Sequence, residues 1–158
     1  MNTARTELLE LLRGKKWTVG FAESCTGGRL SAFIAEQAGV SDVFLGSVVS
    51  YSNQVKSDLL GVQETTLKDF GAVSEQTARE MAQGARRGLK VETAVAITGI
   101  AGPTGGSDRK PVGMVCFAVA GPGFEQAKTV HFQGDRVAVQ TQSANFALKF
   151  LTEALRGR

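Results

Sequence analysis

The sequence predicts an α/β protein in three layers, a mixed β-sheet covered by helices on both faces, and two observations carry that prediction. Short apolar, β-branched runs alternate with stretches whose apolar residues recur at helical spacing, the pattern of strands joined by crossover helices. Two later runs instead flank Gly121-Pro122-Gly123, a turn sequence, and this hairpin makes the sheet mixed. The chain has 158 residues and neither internal repeat, low-complexity tract nor linker, so residues 1–158 read as a single domain. That length buries roughly two-thirds of the unfolded surface without disulfide staples.

Each element has a local reason. Residues 5–15 form an amphipathic helix, with leucines at 8, 9, 11 and 12 between charges and Gly14 near its end. Residues 17–21 read as a short buried strand, and Leu30, Phe33, Ile34 and Ala38 follow at helical spacing until Gly39. Residues 43–51 are apolar and β-branched enough for a core strand, residues 53–60 are helical up to Gly61, and residues 64–69 form a short helix. Ser74 caps a longer helix to Leu89, in which alanines and Gly84 imply close packing. Residues 93–98 form a strand running into a glycine-rich loop at 99–106. The hairpin strands are residues 112–120 and 127–132, and residues 136–155 form the final helix.

Eighteen Lys and Arg against fifteen Asp and Glu give a net charge of only +3, spread along the chain, which argues against nucleic acid and suits a small anionic ligand. Cys25 and Cys116 are too few for a disulfide framework or a Cys-x-x-Cys metal site, so a reducing cytoplasm is expected. No early segment reads as a signal peptide and no run is long enough for a membrane span. The apolar helical faces leave room for a homodimer.

The chemistry points to Ser24, in Ala22-Glu23-Ser24-Cys25-Thr26-Gly27-Gly28, between an apolar strand and a helix. A helix start leaves amides unpaired and carries partial positive charge, which favours an oxyanion beside the serine, and Gly27 and Gly28 let backbone approach a ligand. The same residue types also serve as plain capping and turn material. The run matches no phosphate loop, dinucleotide fingerprint or esterase elbow. Ligands of open α/β sheets gather beyond strand carboxyl ends, where the Ser24 loop, the segment from Tyr51 to Lys56 and the loop after Thr98 converge. His131, the only histidine, lies in the second hairpin strand and reads as structural; Cys25, without a histidine or second cysteine, reads as packing. Asp42, Asp58, Glu75 and Asp135 lack metal-ligand spacing, so no metal is expected.

Six ordered motifs give the chain a close resemblance to the CinA carboxy-terminal domain family, whose stand-alone members include nicotinamide-nucleotide amidases. They are the Ser24 run; Tyr51-Ser52-Asn53 with Lys56; Gly71-Ala72-Val73-Ser74; Gly99-Ile100-Ala101-Gly102-Pro103 with Gly105-Gly106; Lys110-Pro111-Val112-Gly113; and Phe132 with Gly134-Asp135-Arg136. The resemblance implies hydrolysis of the carboxamide of nicotinamide mononucleotide to nicotinic acid mononucleotide and ammonia, without a cofactor. It implies Ser24 as nucleophile and Lys56 as its base, with Tyr51 and Thr98 near the reacting centre and Arg136 as a substrate contact. The resemblance departs at the last helix, where many relatives carry further arginines shortly after Gly-Asp-Arg and this chain has Gln140 and Thr141. The alternative is a catalytically inactive nucleotide-binding or partner-binding member of the same fold.

A lysine base needs a special environment, because at a pKa near ~10.4 it is almost wholly protonated at neutral pH. Burial of Lys56 meets that need if its ammonium turns inward. The Tyr51 hydroxyl is expected to orient Lys56 or relay its proton, and the amides of Thr26, Gly27 and Gly28 to hold the oxyanion. Thr98 is expected to hold the carboxamide or nucleotide, and Gly99, Gly102 and their loop to offer backbone donors to ribose or phosphate.

Overall fold

The computed structural model describes residues 2–158. Five strands form one sheet: β1 (Val19–Glu23), β2 (Phe44–Val49), β3 (Thr93–Gly99), β4 (Met114–Gly121) and β5 (Phe124–His131), in the order β2-β1-β3-β4-β5. Strand β1 pairs in parallel with both β2 and β3, while β4 runs antiparallel to β3 and to β5. The sheet is therefore mixed, and helices cover both faces as the alternation of patterns predicts.

One face packs on α1 (Asn2–Lys15), α2 (Arg29–Ala35) and α6 (Arg136–Arg156). Its core is large and branched: Leu8, Leu9, Leu12, Phe21, Ile34, Ile97, Phe117 and Leu148 are all buried. The opposite face packs on α5 (Glu75–Leu89), against which α3 (Asn53–Leu60) and α4 (Glu64–Phe70) pack in turn. Its core is built largely of small residues, Ala22, Ala78, Ala82, Ala85, Ala94, Ala96 and Ala118 among them. Small side chains draw α5 close to the sheet and to α3. A Cβ on Gly84 would lie 1.9 Å from the Leu60 carbonyl oxygen, so only glycine permits that approach.

Several boundaries differ from the sequence reading. Strand β1 starts at Val19 and extends to Glu23, two residues later at each end than expected, which brings Ser24 directly to the strand's end. Strand β2 is an edge, not a core strand: Leu45 and Val49 are about half exposed. Its β-branched composition fits a pleated surface in either place, so composition could not tell centre from edge. The hairpin turn is tighter than expected, with Gly121 paired to Phe124 and Gly123 at φ 78°. Glu125 and Gln126 join β5 because an edge strand tolerates charge. Among the described residues no helix is long and apolar enough to cross a membrane.

Candidate active site

Ser24 follows the buried end of β1 and is held there by its own backbone, its amide donating to the Ile97 carbonyl on β3 at 2.9 Å. The chain then turns sharply, Gly27 donating to the Ser24 carbonyl at 3.0 Å, with Gly27 and Gly28 at φ 60° and 98°. These left-handed conformations explain both glycines. The amide of Gly27 is thus committed to the turn and does not serve an oxyanion as expected. The start of α2 is committed too, since Arg29 donates to Thr26 while Leu30 and Ser31 donate to the Glu23 carboxylate. Among the described residues, the loop amides left without a protein acceptor are those of Cys25, Thr26 and Gly28.

Lys56 comes from α3, whose start is capped by Ser52 accepting from the Val55 amide. Its side chain turns inward and is only 1 % exposed. Nζ lies 2.9 Å from Ser24 Oγ, 2.7 Å from the Ser50 carbonyl and 3.3 Å from the Tyr51 carbonyl. Burial pushes its pKa down to about 8, because removing water penalises the ammonium more than the neutral amine. Two carbonyls can only accept, so a neutral amine spends both hydrogens on them and turns its lone pair toward the serine hydroxyl. In that arrangement the amine can accept the hydroxyl proton.

The model of the CinA C-terminal domain family matches residues 1–155. The chain belongs to that family. It is 47% identical over 146 residues to a CinA-like protein of Fervidobacterium nodosum, covering 92% of this chain and 36% of that protein. With a CinA-like protein of Thermotoga neapolitana the identity is 45% over 163 residues, covering 100% of this chain and 39% of the other. The chain thus spans little more than a third of the length of these curated relatives. A CinA superfamily crystal structure from Klebsiella pneumoniae superposes at TM-score 0.94 with 36% identity, covering 99% of this chain and 98% of that one. The mixed α/β architecture of this CinA domain is the architecture of its family.

The rest of the site in this CinA domain joins the second and third loops to α6. Arg136, at the first turn of α6 behind the Asp135 cap, donates to the Gly102 carbonyl at 2.7 Å and to the Tyr51 hydroxyl at 2.5 Å. The Tyr51 phenol therefore serves Arg136, and the carbonyl, not the hydroxyl, of Tyr51 orients Lys56. Gly102 contributes its carbonyl at φ 80°, where a Cβ would strike Val112. Gly99 is the last residue of β3, and a Cβ there would crowd Val115 and the Met114 carbonyl, so packing against β4 explains it. Thr98, buried, donates its hydroxyl to the Ala72 carbonyl at 2.8 Å; it braces the loop before α5 and offers no free donor. Thr26 likewise gives its hydroxyl to Glu23, leaving only its amide for a ligand.

Cys25, His131 and the four acids take no part in the Ser24–Lys56 contact. Burial pushes the Cys25 thiol up to about 12, which keeps it a neutral, unreactive thiol. His131 is exposed at the end of β5, three strands from β1 and so about 14 Å across the sheet. The acids have local partners: Asp42 binds Arg13, Asp58 accepts from Gln54, Glu75 accepts from Thr129 and Asp135 caps α6. Sequence reasoning missed two residues that fix the serine loop. Glu23 is wholly buried beneath it, and Gln140 on α6 donates to the Cys25 carbonyl at 2.9 Å. An acid ending an otherwise apolar strand was the available signal for the first; a glutamine one turn beyond Arg136 was a weaker one.

Proposed function

We propose that this domain is a nicotinamide-nucleotide amidase that hydrolyses the carboxamide of nicotinamide mononucleotide to nicotinic acid mononucleotide and ammonia. The observation that carries the reading is Lys56 Nζ, buried, 2.9 Å from Ser24 Oγ and braced by two carbonyls. In the proposed sequence Lys56 takes the hydroxyl proton as Ser24 Oγ bonds to the carboxamide carbon, and the amides of Cys25, Thr26 and Gly28 receive the developing oxyanion. The protonated Lys56 hands its proton to the amide nitrogen, the carbon–nitrogen bond breaks and ammonia leaves an acyl-Ser24 ester. Lys56 then takes a proton from water, hydroxide adds to the ester, and collapse returns the proton to Ser24 Oγ. No step needs a metal or cofactor. Arg136, a cation at the rim held by exchangeable hydrogen bonds, suits the substrate's phosphate.

The test is ammonia release from nicotinamide mononucleotide by the purified domain in the presence of a chelator. Turnover is expected in the wild type, and Ser24→Ala and Lys56→Ala are each expected to lower kcat by about 10⁴-fold or more. A domain that binds the nucleotide but releases no ammonia would be a binding module, and unchanged turnover in Ser24→Ala would exclude the acyl-enzyme.

A further inference from the structure

Glu23 is the residue of the serine motif that the amidase chemistry leaves without a task. It ends β1 immediately before Ser24 and its side chain is completely buried. Four donors converge on its carboxylate. On Oε1 these are the Thr26 hydroxyl at 2.7 Å and the Leu30 amide at 2.9 Å; on Oε2 they are the Ser31 amide at 3.0 Å and the Ser31 hydroxyl. Its carbonyl accepts from the Ser50 amide at 2.7 Å and the Ser50 hydroxyl at 3.3 Å, and the Ser50 carbonyl in turn holds Lys56 Nζ. One residue therefore meets the serine loop, the start of α2 and the anchor of the base.

Capping alone does not call for a buried carboxylate. A serine or asparagine satisfies a helix start at lower desolvation cost. What a carboxylate adds is about four acceptor sites, and here all four are filled, two from each oxygen. The filling has a consequence for the reaction. Because Glu23 takes the α2 amides, the donors left beside Ser24 belong to the loop itself, and the direction in which they point depends on the shape of that loop. Thr26, whose hydroxyl Glu23 grips, carries one of them.

We propose that Glu23 is the positioning residue of the oxyanion cradle: its carboxylate clamps the loop at 24–28 to α2 and so sets where the amides of Cys25, Thr26 and Gly28 stand relative to Ser24. This rests on Ser24 being the nucleophile and is independent of which amide is the substrate. Glu23→Gln is the direct probe. One of its two terminal atoms becomes an NH₂ that must face the backbone N–H of either Leu30 or Ser31, a donor against a donor that no hydroxyl rotation relieves.

The experiment measures the second-order rate at which a fluorophosphonate labels Ser24, per folded molecule and across pH, alongside kcat and KM for nicotinamide mononucleotide. Glu23→Gln is expected to slow labelling and kcat by about 30- to 100-fold, as a displacement of roughly 1 Å in a reacting array does. KM and the pH midpoint set by Lys56 are expected to stay where they are. Thr26→Val, which removes one clamp contact and keeps the amide, is expected to cost about fivefold; it decides the matter if Glu23→Gln fails to fold. Rates within about threefold of wild type in Glu23→Gln, a wild-type rate in Thr26→Val, or a displaced pH midpoint each overturn the proposal. A wild type that labels at Ser24 yet releases no ammonia overturns the amidase reading alone and leaves the Glu23 test standing. A wild type that neither labels at Ser24 nor releases ammonia overturns both.

Discussion

The two sides of the site are built on opposite principles. On the reacting side Ser24 and Lys56 are 7 % and 1 % exposed, and both the hydrogen bond between them and the contact of Lys56 with the Ser50 carbonyl are buried. On the other side Tyr51 is 58 % exposed and Arg136 reaches from the surface to a phenol and a carbonyl. The difference fits the two roles proposed for them. Removal of water is what depresses the pKa of Lys56, and a lysine base needs such a depression. An arginine that receives an anion needs partners it can exchange, and hydrated hydrogen bonds of modest net strength provide them. Similar heavy-atom distances thus hold a rigid pair on one side and an exchangeable clasp on the other.

The sharpest way to break that contrast is Lys56→Met. Activity is expected to fall by about 10⁴-fold or more, while stability at pH 7 is expected to rise. The unfolded lysine has its ordinary pKa of 10.5 and the folded one about 8. Below pH 8 both states hold the proton, and the folded protein carries the full cost, roughly 3 kcal/mol at about 1.4 kcal/mol per pH unit. Between pH 8 and 10.5 the folded state releases its proton first, so the wild type gains stability as pH rises. Losing the donors to the Ser50 and Tyr51 carbonyls offsets about 1–2 kcal/mol. Lys56→Met is therefore expected to be about 1–2 kcal/mol more stable than wild type in urea titrations at pH 7, with the advantage gone by pH 10.5. A less stable variant at pH 7 would mean that burial imposes no such cost. In the wild type, kcat/KM is expected to rise about tenfold per pH unit up to pH 8, as the neutral amine accumulates.

Much of this is legible in the sequence. The alternation of strand-like and helical runs foretold the mixed sheet, and the motif residues Ser24, Lys56, Tyr51 and Arg136 do assemble at strand ends. What the sequence could not convey was the use to which each polar group is put. Thr26, Thr98 and Gly27 are motif positions that looked free to bind a ligand; the two hydroxyls are spent on Glu23 and Ala72 and the Gly27 amide on the turn at Ser24, so that of the three only Thr26 keeps a free loop amide. Tyr51 stands beside Lys56 in sequence, yet chain direction sends its carbonyl to the lysine and its phenol to Arg136, 85 positions away. Such pairings depend on which face of an element a side chain leaves from, and a linear pattern does not encode the partner.

Spacing on the reacting side is set at a distance, by the close approach of α5 to α3. Lys56 lies one turn before Leu60, whose carbonyl sits against Gly84. Gly84→Ala places a methyl in that contact and is expected to cost about 2–3 kcal/mol in denaturant titrations. By moving α3 it should also lower kcat by about tenfold, with KM for the nucleotide unchanged. Gly14→Ala is the matching control: nothing lies within 4 Å of its added Cβ on α1, and it should gain about 0.5 kcal/mol from helix propensity. A Gly84→Ala protein of wild-type stability would show that the α3–α5 contact is slack.

The exposed side should respond in KM. Arg136→Ala removes a charge-assisted contact to phosphate and is expected to raise KM for nicotinamide mononucleotide by about 10- to 100-fold. Tyr51→Phe deletes only the hydroxyl that steadies Arg136, and a neutral hydrogen bond of about 0.5–1 kcal/mol predicts a rise of about two- to fivefold. In both variants kcat and the pH midpoint should match wild type, and nicotinamide riboside, which lacks the phosphate, should show no change. The smallest effect is the most discriminating one. If Tyr51→Phe lowered kcat at constant KM, or shifted the midpoint near pH 8, the phenol would belong with Lys56, and the division between a buried reacting pair and an exposed recognising clasp would fail at that residue.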